Sequence, residues 1–352
     1  MAPLVGSAPE REQSSPAAAG QATPRTPSSG GPGPRPPVRA WLQPAVIALV
    51  LAAAFIGCYV GLQRDPQPHG LPIAVAGHSL AGEIEHALGD SVSVRPAVSA
   101  GAAHQALERH DVVAALSDTG GRDRLRLEVA GADGLSTTTA VKNLITAYAG
   151  GSGKHVTTAD VVPLAHFDGR GLAGFYMAFG VTLAGFVLGQ NTLGLGHLLH
   201  LRHRFRLIAG VSAATGLLAT VIAGPVLGAV PAPIVPLAFT LTLLAAAAAF
   251  TTKLLGTYLG PVGVPVATLL LLTVGNSTSG ATIGADLLPA AARAVSALLP
   301  PGAAVRAITD LSYFHGAHTA LPLLTLALWA VVAALLVSLR PRLRLSRTRA
   351  LV

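Results

Sequence analysis

Four clusters in this chain have residue types and spacings that chemistry uses. Gly150-Gly151-Ser152-Gly153-Lys154 has the look of a phosphate-binding loop. A Walker A loop, however, needs Gly five residues before the Gly of its Gly-Lys pair and Ser or Thr after the Lys. Tyr148 and His155 occupy those positions, so the segment reads as a helix end and linker. No other nucleotide-binding signature is present, and the chain is expected to hydrolyse no ATP itself. His197, His200 and His203 recur every three residues, interleaved with Arg202, Arg204 and Arg206. Two histidines at helical spacing can ligate a metal, but neighbouring guanidinium groups oppose a cation, so this is expected to be a positively charged loop. His315 and His318 have only Asp310 as a nearby carboxylate, too few ligands for a metal site. The single cysteine, Cys58, excludes an intramolecular disulfide and a Cys-based zinc site. The fourth cluster is Gly275-Asn276-Ser277-Thr278-Ser279-Gly280. Its small polar residues suit either a re-entrant or broken helix lining a wet cavity, or a plain polar loop just outside a bilayer.

The elements that must position these clusters follow from composition. Of 352 residues, 51% are apolar and 11% charged, with mean hydropathy +0.57. A soluble domain carries about 25% charged residues, so a polytopic membrane protein is expected. Residues 1–40 hold nine of the 26 prolines and no apolar periodicity, and read as a disordered tail. Trp41–Leu62 has no formal charge over 22 residues, enough to cross a bilayer as an uncleaved anchor within residues 41–63. Residues 64–170 hold 12 of the 16 acidic residues, the balance of a soluble domain. The apolar pattern there predicts strands at 71–77, 92–98, 112–116 and 124–129, with helices at 79–88, 102–109 and 136–149: a small α/β sandwich. Beyond Gly171, uncharged runs predict spans at Gly171–Leu193, Leu207–Ala229, Ile234–Thr252, Leu259–Val274 and Ala320–Leu339. The fold class expected is a six-span α-helical membrane protein with an extracytoplasmic α/β domain between spans 1 and 2. An outer loop would cover 275–319, and a basic tail 341–352.

Lys and Arg placement sets the orientation. With the N-terminus inside, residues 1–40, the loop 194–206, Lys253 and the tail from Arg340 hold 13 basic and two acidic residues. The other side holds 11 basic and 14 acidic residues. Both termini are therefore expected to be cytoplasmic, in the plasma membrane. The pI near 10.4 then reflects topology and contact with anionic lipid head groups, not nucleic acid, for which no aromatic or basic motif is present. The spans contain almost no ionisable groups, which weighs against a proton- or sodium-driven mechanism. They also lack paired carboxylates or a nucleophile–base pair, so an enzyme is not expected.

Val162-Pro163-Leu164 with Asp168-Gly169-Arg170-Gly171-Leu172-Ala173-Gly174-Phe175-Tyr176 resembles the start of the second span in actinobacterial ABC-2 type permeases and YhgE/Pip-like membrane proteins. Gly275–Gly280 resembles their Gly-Asn-Pro-Ser-Ser-Gly pattern, with Ser277 where Pro is usual. Leu298-Leu299-Pro300-Pro301-Gly302-Ala303-Ala304-Val305 and Tyr313-Phe314-His315-Gly316 resemble the loop before their last span. The resemblance covers about residues 41–340. It implies a permease subunit in which two such chains form a path for an amphipathic or hydrophobic cargo. A separate ATP-binding-cassette ATPase, the only source of ATP, would dock on Gly194, Gly196, His197, Arg202, Arg204 and Arg206. The alternative it implies is a non-transporting envelope protein, phage-receptor-like or accessory to secretion, whose outer domain binds a partner.

Overall fold

The structure, a computed structural model, describes residues 38–349 except Asp65, Gly121 and Arg122, and no side chains for 38–41 and 341–349. The tail expected over 1–40 thus lies almost wholly outside the described residues. Helix α1 (Val38–Gln63) leaves Leu42, Leu49, Ile56 and Val60 exposed, as an apolar helix facing lipid would.

Five strands follow, interleaved with helices: β1 (Leu71–Ala76), α2 (His78–Leu88), β2 (Val92–Ala97), α3 (Ala100–Glu108), β3 (Ala114–Asp118), β4 (Arg124–Val129), α4 (Leu135–Gly151) and β5 (His155–Asp160). The sheet order is β2-β1-β3-β4-β5, with only the β3–β4 pair antiparallel. Three strands stand where the apolar pattern predicts them, and the one expected at 112–116 runs two residues later, over Ala114–Asp118. The fifth, His155–Asp160, sends only Val156 into the core, so it lacks the apolar alternation that Val92 and Val94 still give the other edge strand, β2. Gly153, at φ +66°, makes the turn between α4 and β5 where a linker is expected. Strand residues alternate faces. Leu71, Ile73, Val75, Leu116 and Leu127 pack under α2 and α4; Ala74 and Ala115 pack under Leu107 of α3.

The remaining chain is helical: α5 (Ala173–Gly194), α6 (Leu201–Val221), α7 (Ile234–Leu259), α8 (Gly263–Ala267), a π-helical stretch (Thr268–Val274), α9 (Gly275–Ser277), α10 (Ala290–Leu298), α11 (Pro300–Tyr313) and α12 (Ala320–Arg349). Among the described residues, five helical stretches are long and apolar enough to cross a membrane: Leu42–Gln63, Ala173–His197, Leu201–Val226, Ile234–Ser277 and Ala320–Arg340. The protein is a multi-pass membrane protein by that measure. Ile234–Ser277 contains both stretches expected as separate spans, Ile234–Thr252 and Leu259–Val274. It is broken at Gly260, whose φ of +61° is followed by Pro261. Leu237 and Leu241 near the start of α7 pack with Ala303 and Ile308 of α11, whereas Lys253 and Gly256 meet Thr192 and Leu193 at the end of α5. Gly275 then lies against Pro301, back at the start of α11. The chain has doubled back across the bundle. The basic stretch 341–349 continues α12 as helix.

Helix α7 is the hub. Gly185 and Gly189 of α5 lie against the backbone of Ala245 and Ala249, and Gly216 of α6 lies against Ala238 and Thr242. A methyl group on Gly185 would come within 2.5 Å of the Ala245 carbonyl oxygen. Small residues that let helix backbones touch are what hold helices together where the solvent is as apolar as the side chains. The hydroxyls of Thr182, Thr220 and Thr252 donate to carbonyls four residues earlier (2.7–2.8 Å), so their burial leaves no open donor.

The sheet domain is not a bead on a string. Beyond Gly280 the chain runs into the domain, and Ile283, Leu287 and Leu288 are part of the core under α2 and α4. On the opposite face, Phe314 at the end of α11 packs with Ala74, Leu107 and Ala115. Segments following the doubled-back helix thus grip the sheet from both sides.

Candidate functional site

At the sheet end of the bundle, α3 stops at Arg109 and the next residue, His110, adopts φ +60°. That conformation is uncommon for a residue with a Cβ and presents the ring to two carboxylates from distant parts of the chain. His110 Nδ1 lies 2.6 Å from Asp310 Oδ1 on α11, and Nε2 lies 2.8 Å from Asp133 Oδ1 on the turn before α4. Carboxylates only accept, so a ring bonded at both nitrogens donates from both and is an imidazolium. Burial opposes this charge, but the hydrogen bonds and charges of Asp133 and Asp310 outweigh it and raise His110 from 6.5 to about 10. The ring also stacks flat on Phe314, with centroids 3.9 Å apart and planes 2° from parallel. Burial pushes the Asp133 carboxyl above its usual range, against the pull of His110. Both ring nitrogens are engaged, so His110 acts as a clamp between the sheet domain and α11, not as a free base or metal ligand.

A cavity of about 290 Å³ opens beside this clamp, bounded by His110, Asp133, Ser279, Gly280, Asp286 and Arg306. Asp133 Oδ2 is buried there without a hydrogen-bond partner. Burial also raises the Asp286 carboxyl, which Arg293 at 3.9 Å partly offsets. Arg306 is turned away from the carboxylates, donating to the carbonyls of Ser296 and Ala297 at the end of α10 (3.3 Å each).

Of the segment Gly275–Gly280, Ser279 and Gly280 line this cavity. Asn276 donates to the Leu271 carbonyl (3.2 Å), Ser277 to Val274 (3.1 Å), and Thr278 to Val274 (2.8 Å). These side chains close the helix end from within, and Gly280 at φ +84° turns the chain toward the sheet domain. Asn276, Ser277, Thr278 and Ser279 are all buried. His315 and His318 lie on the loop after α11, where His318 pairs with Asp111 at 3.2 Å.

The residues expected to couple to an ATPase occupy the far end. Gly194 ends α5, Gly196 and His197 lie in a 3-10 turn, and α6 starts at Leu201. Arg202, Arg206 and His197 point outward and are exposed. Arg204 does not: it is half-buried in a cavity of about 570 Å³ shared with Gly196, Lys253 and Arg340. Lys253, only 1% exposed, donates to the Thr192 carbonyl at 3.0 Å. Sequence reasoning treats Lys253 as a loop residue. Its signal is that it alone carries charge between Arg206 and Asp286, and an ionisable group inside a membrane run marks a functional site by default. His110 and Asp133 carry no such signal, because their partner Asp310 is about 200 residues away from His110 and nothing local announces the pairing.

Compared with family models, curated proteins and solved structures, the chain finds no match.

Proposed function

We propose that this chain is the membrane subunit of an ABC-2 type permease, crossing the plasma membrane six times with both termini cytoplasmic. It moves an amphipathic or hydrophobic cargo, with ATP used by a separate ATPase on the far-end turn and two copies forming the path. The observation that carries this reading is a third cavity, of about 560 Å³, between α5 and the second half of α6. Its walls include Met177, Val181, Leu218, Ile222 and Leu227, with hydroxyls only from Tyr176 and Thr215. Such a cleft suits an acyl chain or a polycyclic body and offers nothing to an ion. The sixth pass is the return from Gly260 to Gly275, and the 13-to-2 ratio of basic to acidic residues supports the orientation.

The competing reading is a partner-binding envelope protein. It draws on the open sheet edges β2 and β5, which could each accept a strand from another chain. Purification from the native membrane in mild detergent separates the two. An ATP-binding-cassette subunit should accompany the permease, and Leu218→Trp, which fills the cleft, should abolish cargo movement in reconstituted vesicles without lowering the folded yield. Absence of any ATPase subunit, together with an unaltered cellular phenotype in Leu218→Trp, would overturn the permease reading.

A further inference from the structure

The far-end cavity holds three cations and no anion. Arg204 and Lys253 line it from α6 and α7, and Arg340 from α12. Among the described residues no carboxylate pairs with any of them. The sequence offers few candidates: after Asp168 the only acidic residues are Asp286 and Asp310, both placed at the sheet end, and Glu10 and Glu12 lie outside the described residues. Lys253 is almost fully buried and its ammonium has one recorded acceptor, the Thr192 carbonyl, leaving two donors free. The Arg204 Nε is buried with no partner at all. Arg340 is held over the face of Tyr258, at 5.6 Å, and the Tyr258 hydroxyl is itself fixed on the Leu336 carbonyl at 2.9 Å. Buried charges are normally paired or bound to a counter-ion, so an open pocket lined by unpaired donors is built for an anion. Two guanidinium groups and an ammonium around one cavity match the tetrahedral oxygens of a phosphate. Apolar walls from Leu193, Leu201 and Val337 adjoin them.

We infer that this cavity binds a phosphate-bearing anion. Arg204, Lys253 and Arg340 contact its oxygens, and exposed apolar residues of α12, Leu336 and Leu339, offer a surface for attached acyl chains. The site stands whether or not the chain moves a cargo. A lipid head group and a free phosphate share this chemistry, and the test tells them apart.

The full-length chain, purified in an uncharged detergent, would be titrated with phosphatidylglycerol, phosphatidylcholine or inorganic phosphate. Thermal unfolding and native mass spectrometry would read the outcome. Phosphatidylglycerol should raise the unfolding temperature and remain bound, and phosphatidylcholine should do neither. Arg204→Gln and Arg340→Gln should each weaken the response about tenfold, the loss of a charge-assisted contact. The exposed Arg202→Gln should leave it unchanged. Stabilisation by inorganic phosphate alone, with displacement of phosphatidylglycerol, would assign the site to free phosphate. Stabilisation by phosphatidylglycerol but not phosphate would assign it to a lipid. Equal responses to phosphatidylglycerol and phosphatidylcholine with none to phosphate would overturn the inference, as would a wild-type response in both Arg204→Gln and Lys253→Met.

Discussion

The two ends of the helical bundle treat charge in opposite ways. At the sheet end, His110 sits between Asp133 and Asp310, each carboxylate within 2.8 Å of a ring nitrogen. At the far end, Lys253 is also buried, yet its one hydrogen-bond partner among the described residues is a neutral carbonyl. The paired charges of His110, Asp133 and Asp310 make the first region a structural clamp, although Asp133 Oδ2 has no hydrogen-bond partner and Arg306 beside it is answered by carbonyls alone. Among the described residues no carboxylate answers the second region, which makes it a receptor whose cost is met when something anionic enters. The contrast separates ionisable groups that hold the protein together from those that wait for a ligand.

The largest effect should come from breaking the clamp. His110→Ala leaves two buried carboxylates facing each other, and the unfolding free energy in detergent should fall by about 3–5 kcal/mol. Asp310→Asn keeps the shape but weakens one charged hydrogen bond, for an expected loss of about 1.5–3 kcal/mol by the same assay. A coupling near zero in the Asp133→Asn/Asp310→Asn cycle would mean that His110 is not shared and would reduce the clamp to two separate contacts. The smallest effect at any one step is the pH dependence, read per pH unit. The folded pKa of His110 is raised from 6.5 to about 10, so its contribution is complete below pH 6.5 and is lost as pH climbs toward 10. That slope is at most about 1.4 kcal/mol per pH unit, and it should vanish in His110→Gln. A wild-type slope persisting in that variant would place the titration elsewhere.

Much of this arrangement was legible in the sequence, and the gaps have physical causes. Strands at Leu71–Ala76, Val92–Ala97 and Arg124–Val129 announce themselves because their buried faces demand apolar residues at regular spacing. His155–Asp160 does not, because only Val156 of this strand packs on the core and its place is taken through backbone pairing with β4, whereas the other edge strand still offers Val92 and Val94. The apolar runs locate the membrane stretches and divide Ile234–Ser277 into two, but the break stands at Gly260, several residues beyond Thr252 where the first run is expected to end. The polar string Gly275–Gly280 reads from sequence either as a broken helix or as a plain loop; its Asn276, Ser277 and Thr278 side chains donate to carbonyls of the helix they end. Its sequel was hidden: Ile283, Leu287 and Leu288 look like an ordinary apolar loop until the sheet they complete is present. Of the far-end residues, Arg204 and Gly196 share the cavity while Arg202 and Arg206 face outward, a division set by helical phase that a list of basic residues conceals.

The difference between the two ends is tested most directly at Lys253. Lys253→Met replaces the buried ammonium with an apolar chain of similar length, and its unfolding would be measured in uncharged detergent stripped of anionic lipid and phosphate. With no counter-ion to lose, the variant should be as stable as the wild type or more stable, by up to about 1–4 kcal/mol. A loss comparable to that of His110→Ala would show that Lys253 is answered within the fold, and the two ends would not differ in kind.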